Sequence, residues 1–368
     1  MNHIPMVDLK PSWDEQMDEI TDAVKRVLDQ GNFILGSEVS QLEREIADFH
    51  RVRHGVGVAN GTDALILLLH AAGIGAGDEV ITTPFTFFAT AESIMQLGAV
   101  PVFADIDPVS LNLDPANIEE KITPKTKAIL PVHIFGQMAA MDAIHKIANK
   151  HSLIVIEDAC QAIGAAWNGK APGTYSVGAA FSFFPTKNLG TCGDGGMIIT
   201  QSKELTERLR RLRLHGSSAK YIHDEAGWNS RLDEIHAAIL RVKLRKLSAW
   251  NAERRKIAEI YHQELKGLPL QLPIEQPSAH HVYHLYTVLS DERDALMNDL
   301  KQQGIGCGVY YPVPLHLQQA LKGYGYHKGQ LPVAENASEC CLSLPLYPGM
   351  TEDAQQFVID KVKHYFKR

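Results

Sequence analysis

The stretch Phe181-Ser-Phe-Phe-Pro185-Thr-Lys187-Asn-Leu-Gly190-Thr-Cys-Gly193-Asp-Gly195-Gly196 decides how this chain is read. Val177 to Phe184 is an apolar, strand-like run, and Pro185 ends it because proline fixes φ and has no N–H for a ladder. Lys187 follows, between the strand and a glycine-rich turn, which is neither a surface position nor a helix terminus. Its amine stands at the mouth of an apolar site. Desolvation there favours the neutral, nucleophilic amine, which can form a Schiff base with a carbonyl cofactor. Most of the 36 Lys and Arg residues are expected to be solvated; Lys187 has the setting of a covalent anchor.

Upstream, short β runs alternate with helical stretches. The strand candidates are 55–59, 79–82, 101–104, 127–132 and 153–157, followed by 178–184 and 196–200. Helical candidates near 62–73, 88–97, 115–121 and 140–150 fall between them. This alternation predicts a doubly wound, mainly parallel sheet with helices on both faces. Before it, Ser12-x-x-Glu15 fits a capping box for a helix with Met17, Ile20, Val24 and Leu28 as its stripe, ending at Gly31. Ser37 starts a second helix, with Val39, Leu42, Ile46 and Phe49 on one face. Residues 203–214 and 231–262 read as charged helices, the latter with Leu232, Ile235, Ile239 and Val242 buried. A helix at 351–366 closes the chain. The expected division is a large domain at 1–249 and a smaller C-terminal α+β domain at 250–368.

At 368 residues the chain can bury an ample core, and its net charge of −7 gives no electrostatic case for nucleic acid or an anionic membrane. No stretch is apolar enough to span a bilayer, and Met1-Asn-His-Ile-Pro-Met lacks a signal-peptide plan. Five cysteines without a CxxC pair fit a reducing compartment, so the expectation is a cytoplasmic protein. Gly304-x-Gly306-x-Gly308 lacks dinucleotide-binding spacing. His280, His281 and His284 lie in a strand-like aromatic run, and no metal site is expected.

Other motifs join Lys187. Ala59-Asn-Gly61-Thr62-Asp63 opens a helix after a strand, where backbone N–H groups bind phosphate; it also fits a plain glycine turn with a Thr or Asp cap. Asp158 lies just past a strand end, where α/β sheets build sites, and suits a pyridinium nitrogen, with Gln161 near a ring oxygen. Asp158-x-x-Gln161 equally fits a capping box. Ser182 suits the same phosphate or a small core position, and a ring of Phe85-Thr-Phe87-Phe88 suits stacking or packing. Asn229-Ser-Arg231-Leu-Asp233 also fits an N-cap. Together these are the parts of a pyridoxal phosphate (PLP) site.

In order and spacing the chain resembles the sugar aminotransferase family named after DegT, DnrJ and StrS. The match includes Gly31–Val39, Asn60–Leu65, Pro131–Gln137, Glu157–Ala162, Ser182–Gly196, Trp228–Asp233, Tyr310–His316 and Leu342–Pro348. The resemblance implies the aspartate aminotransferase-like α/β fold, fold type I, with a mainly parallel sheet sandwiched by helices. It implies Lys187 as Schiff-base lysine and acid/base, Asp158 on the pyridine nitrogen and Gln161 on the phenolic oxygen. Ser182, Gly61 and Thr62 would hold the phosphate, Phe87 would stack on the ring, and Asn229 would reach across a homodimer with shared sites. Phe33, Arg231, Tyr310, Tyr311 and His316 would meet the substrate. Relatives that are dehydratases carry His in place of the lysine, so Lys187 points to transamination from L-glutamate to a nucleotide-linked keto sugar. Asp63, Phe85–Thr90 and Tyr310–His316 resemble the branch that aminates C3 of 3-keto sugars. A 4-keto sugar, a keto-cyclitol or a PLP-binding regulator are the alternatives.

Overall fold

The computed structural model describes residues 3–367. Met1 and Asn2, which open the segment read for a signal peptide, lie outside the described residues. Seven strands form one sheet: β1 (His54–Val58), β2 (Glu79–Thr82), β3 (Val100–Phe103), β4 (Thr126–Leu130), β5 (Ile154–Asp158), β6 (Gly178–Ser182) and β7 (Gly196–Thr200). Their order is β1-β7-β6-β5-β4-β2-β3. Pairing is parallel except that β7 runs against both β1 and β6.

Side chains alternate across a strand, and here both faces are apolar, as a sheet covered on both sides requires. Val155, Ala179, Phe181, Met197 and Ile199 enter one core; Ile156, Ala180 and Ile198 enter the other. Behind α1 (Met17–Gln30), the first face is covered by α2 (Ser37–Phe49), α5 (Met141–His151) and α7 (Glu234–Leu244). The second is covered by α3 (Gly61–Ala71), α4 (Ala89–Gln96) and α6 (Lys203–Leu212). In α3 the run Leu65-Ile-Leu-Leu-Leu69 is buried throughout, each side chain contributing about 1.5–3 kcal/mol over exposure. A helix apolar all round must be central. Because α3 leaves directly from β1, its N-terminus lies at the same sheet edge as the ends of β5 and β6.

Beyond it, α8 (Leu247–Leu265), α9 (Arg293–Gln302) and α11 (Glu352–Tyr365) pack on the antiparallel pair β8 (Tyr286–Leu289) and β9 (Cys341–Leu344), with α10 (Pro332–Cys340) leading into β9. Tyr261, Tyr286, Leu296, Leu342 and Val358 centre a separate core. The boundary expected at 249/250 falls in the first turn of α8. Among the described residues no helix is long and apolar enough to cross a membrane.

Some expectations are corrected. Ser12 is not a cap: it lies in a short helical turn, Lys10–Asp14, and donates to Leu9 O at 2.9 Å. Glu15 instead accepts from Lys246 and Trp250. The buried face of α1 is Ile20, Ala23 and Val27, packed on Ala238, Ile239 and Val242, whereas Met17 and Leu28 are exposed. Residues 115–121 form two 3-10 turns, and 231–262 divides into α7 and α8, with Leu232 ahead of both. Gly31 does end α1, at φ +66°, where glycine carries no Cβ penalty.

His50, following α2, is buried with both ring nitrogens engaged: Nδ1 donates to Ile46 O at 3.0 Å, and Nε2 accepts from Gly164 N–H at 3.4 Å. Burial pushes its pKa down to about 4, opposed by the Ile46 bond. The folded pKa lies below the unfolded one, so the unfolded chain takes up the proton first. Stability is therefore full above about pH 6.5 and falls towards pH 4, by about 1.4 kcal/mol per pH unit for this group. His50→Gln is expected to flatten that part of the slope in urea unfolding between pH 7 and 5. An unchanged slope would refute the assignment.

Candidate functional site

The start of α3 is pressed against the ends of β5 and β6. A Cβ added at Gly61 would stand 2.8 Å from Ser182 Cβ and 3.0 Å from Cys160 Sγ, so only glycine fits. The helix cap is Asn60, not Thr62 or Asp63: its Oδ1 accepts from Asp63 N–H at 2.8 Å. The N–H groups of Gly61 and Thr62 are then left without intrahelical partners, as at any helix start. The Ser182 hydroxyl, accepting from Phe184 N–H at 3.3 Å, keeps its own proton to donate beside them. These donors make a cradle suited to a phosphate.

Asp158 ends β5 and is buried. Its Oδ2 accepts from the Thr90 hydroxyl at 2.8 Å and its Oδ1 from Cys160 N–H at 3.2 Å. No cation pairs with it among the described residues. No helix follows, so the capping-box alternative is excluded. Its backbone is fixed on both sides, by Asp158 N–H to Pro131 O and His133 N–H to Asp158 O. A buried carboxylate without a cation is costly, and it suits a cationic N–H such as a pyridinium. Gln161 Oε1 accepts from Phe135 N–H at 2.7 Å, which turns Nε2 outward to donate to the Tyr311 hydroxyl at 2.9 Å. Phe87 is 59% exposed, with its ring 6.2 Å from that of Tyr311, and so has a free face for stacking; Phe85 is core.

Lys187 is partly buried on the turn after β6, its N–H bonded to Phe184 O at 2.8 Å. Burial pushes its amine below the ordinary lysine range, against the pull of the Asp158 carboxylate. Burial pushes the thiol of half-buried Cys160 well up, so it stays protonated. Lys187, Asp158, Gln161, Ser182, Gly61, Thr62, Phe87 and Tyr311 thus share one sheet edge. Thr90, the partner of Asp158, escaped the sequence reading; its one signal is its four-residue spacing from Thr86, whose hydroxyl it meets at 3.1 Å.

The remaining candidates divide. Tyr310 stands edge-on to Tyr311, ring centres 6.0 Å apart. His316 is buried against Glu335 at 3.1 Å, and the neighbouring Leu315 N–H bonds to Pro84 O, so His316 anchors the 310–316 loop from within. Phe33, Asn229 and Arg231 gather before α7: the Glu234 N–H donates to Phe33 O, and Asn229 is exposed and bridged to Leu214. The N-cap of α7 is Asp233, not Asn229. Ser230 Oγ accepts from Ala59 N–H at 3.1 Å, tying this segment to the cradle. His281 stacks on Tyr283 at 3.8 Å, and among the described residues no group of three His, Cys, Asp or Glu could hold a metal.

Residues 14–363 match the profile described as the DegT/DnrJ/EryC1/StrS aminotransferase family. A pleiotropic regulatory protein of Geobacillus stearothermophilus is 51% identical, covering 99% of both chains. A UDP-N-acetyl-3-dehydro-alpha-D-glucosamine 3-aminotransferase of Acidithiobacillus ferrooxidans is 48% identical over 95% of this chain and 94% of its own. The crystal structure of S. venezuelae DesV in complex with a ketimine intermediate matches with a TM-score of 0.98, at 43% identity and complete coverage of both chains. The fold is therefore fold type I.

The electrostatics of Lys187 give a stability test. A folded pKa below the unfolded value means that charging this amine opposes folding, so its contribution improves as pH rises towards about 10.4 and is lost as pH falls. Lys187→Met is expected to stabilise the cofactor-free protein at pH 7, with the gap closing at higher pH. A gap that widens with pH in thermal unfolding would contradict it.

Proposed function

We propose that this chain, which belongs to the DegT/DnrJ/EryC1/StrS aminotransferase family and is a nucleotide-sugar aminotransferase, converts a nucleotide-linked 3-keto sugar to the 3-amino sugar with L-glutamate as donor. One observation carries the reading: an amine held towards its neutral form beside a buried carboxylate that lacks a cation. Such a pair fits PLP. The Gly61 and Thr62 N–H groups and the Ser182 hydroxyl would hold its phosphate, Asp158 its ring nitrogen, Gln161 Nε2 its phenolic oxygen and Phe87 its face. When bound, the cofactor supplies an electron sink that acidifies the carbon bearing the amino group. Lys187 Nζ accepts the proton from that carbon of glutamate and, in the second half of the exchange, delivers one to C3 of the sugar.

Position 3 is supported by the name of the A. ferrooxidans relative and by Asp63 and Tyr310–His316. Phe33, Arg231, Tyr310 and Tyr311 would face the acceptor, and His316 would set their loop. A homodimer with Asn229 contributed across the interface is supported by exposed Phe33, Ile34, Tyr221 and Ile222. The name of the G. stearothermophilus relative keeps a second reading, a PLP-binding regulator, in view.

One titration separates them. The pure protein with PLP is expected to absorb near about 420 nm, to lose that band on adding L-glutamate with release of 2-oxoglutarate, and to recover it with a 3-keto sugar nucleotide. Lys187→Ala should abolish turnover with an unchanged circular dichroism spectrum. An amine at C4 of the product, by NMR, would replace the 3-keto reading with the 4-keto one. A band that glutamate leaves intact would favour the regulator, and a protein that takes up no PLP would end the Lys187 assignment.

A further inference from the structure

Asn188, the residue after Lys187, is buried with all its amide hydrogen-bonding groups engaged. Its Nδ2 donates to Asn251 Oδ1 of α8 at 2.8 Å and to Val282 O at 3.1 Å. With both amide hydrogens used, its Oδ1 can only accept, so His284 Nδ1, 3.2 Å away, must be the donor. Asn251 in turn donates through Nδ2 to Ile163 O at 3.1 Å. Each amide orientation is thereby forced. Through Asn251 of α8, the circuit joins three further segments: the Lys187 turn, the loop that leaves Asp158 and Gln161 and reaches Ile163, and the 282–284 segment.

The third segment also touches the site. Val282 N–H bonds to Gly136 O at 3.0 Å. Gly136, at φ +102°, has no room for a Cβ, which would stand 2.8 Å from His284 N. Its neighbour Phe135 provides the N–H that orients Gln161. We propose that Asn188 is the positioning residue that holds Lys187 in register with the loop carrying Asp158 and Gln161. It acts through the backbone it shares with Lys187 and touches no reacting atom.

The circuit requires a neutral His284 that bears its single proton on Nδ1. Burial pushes its pKa well below the usual range, aided by the positive charges of Lys187 and Arg254. Arg254 also donates to the backbone carbonyl of His284 at 3.2 Å, fixing the main chain of that segment. A register error of about 1 Å at a catalytic group costs roughly 100-fold in rate, so a circuit of this kind should matter to turnover more than to binding.

The inference rests on the PLP reading above, and its test compares Asn188→Ala, His284→Ala and His284→Asn as cofactor-loaded, full-length proteins. His284→Asn keeps an N–H donor where Nδ1 stood. For the two alanine variants, kcat is expected to fall about 10- to 100-fold while KM for L-glutamate stays within about threefold. PLP should dissociate more readily, and the pH midpoint of its absorbance should rise by more than about half a pH unit, because water reaching the Lys187 nitrogen favours its charged form. His284→Asn should stay near wild type in all three measurements. Alanine variants with wild-type midpoint and kcat per folded molecule, whatever their melting temperature, would overturn the proposal. So would a His284→Asn as impaired as His284→Ala. If Asn188→Ala does not fold, the two His284 variants decide by the same readouts. A wild type that binds no PLP overturns this inference and the functional reading together, whereas an active wild type with unmoved variants overturns this inference alone.

Discussion

The burial of Asp158 without a cation is the constraint on which the rest of the molecule depends. An ionised carboxylate away from water carries a penalty of several kcal/mol unless hydrogen bonds or an opposite charge offset it. Here the offset is partial: the Thr90 hydroxyl and the Cys160 N–H each give one bond. The strand ladder and the flanking bonds to Pro131 and His133 keep the residue in place. The apolar cores on both sheet faces supply the stability that permits this. Asp158 has therefore been kept ready for a cationic partner. Lys187 forms no ion pair with it among the described residues, and burial pushes that amine below the ordinary lysine range.

Close backbone approach is the second constraint. Gly61 brings α3 against Ser182 and Cys160, and Gly190 closes the lysine turn so tightly that a Cβ there would stand 2.4 Å from Pro185 O. Lys243, buried beside the ring of Trp13, donates to Gly190 O and ties the far end of the turn to α7. The turn is thus held at Asn188 and at Gly190, on both sides of Leu189. That leaves little freedom for Lys187 except along its own side chain.

What the sequence disclosed follows from the range of each interaction. Strand alternation and the proline stop after β6 are local, and they located the sheet and Lys187 to within one or two residues. The α1 stripe failed because Ala23 buries as well as a larger residue, so the true face is rotated from the one marked by Met17 and Leu28. Thr62 and Asp63 were plausible caps by type, but Asn60 alone has the extended backbone that points its oxygen back at Asp63 N–H. The Asn188 circuit was invisible because its members lie 63 to 96 residues apart and are ordinary in type. Only the fold brings them together.

The site separates two tasks along physical lines. Asp158, Ser182, Gly61 and Thr62, proposed to hold the cofactor, come from strand ends and a helix start, and Gln161 comes from a loop pinned to Phe135, so the backbone there is fixed by ladders, caps and that bond. Groups proposed to meet the acceptor, Phe33, Tyr310 and Arg231, lie on loops and exposed segments. Loops change with little effect on the core, so one amine-exchange chemistry can serve many acceptors while the scaffold stays the same. Tyr311 crosses the division: its hydroxyl takes the Gln161 amide hydrogen while its ring meets Phe87 and Tyr310. Any acceptor that shifts Tyr311 must also shift Gln161, whose other end is pinned to Phe135. Under the proposed roles, acceptor choice and cofactor orientation would be coupled at one residue, and a substitution that widened the acceptor loop would be felt at Gln161.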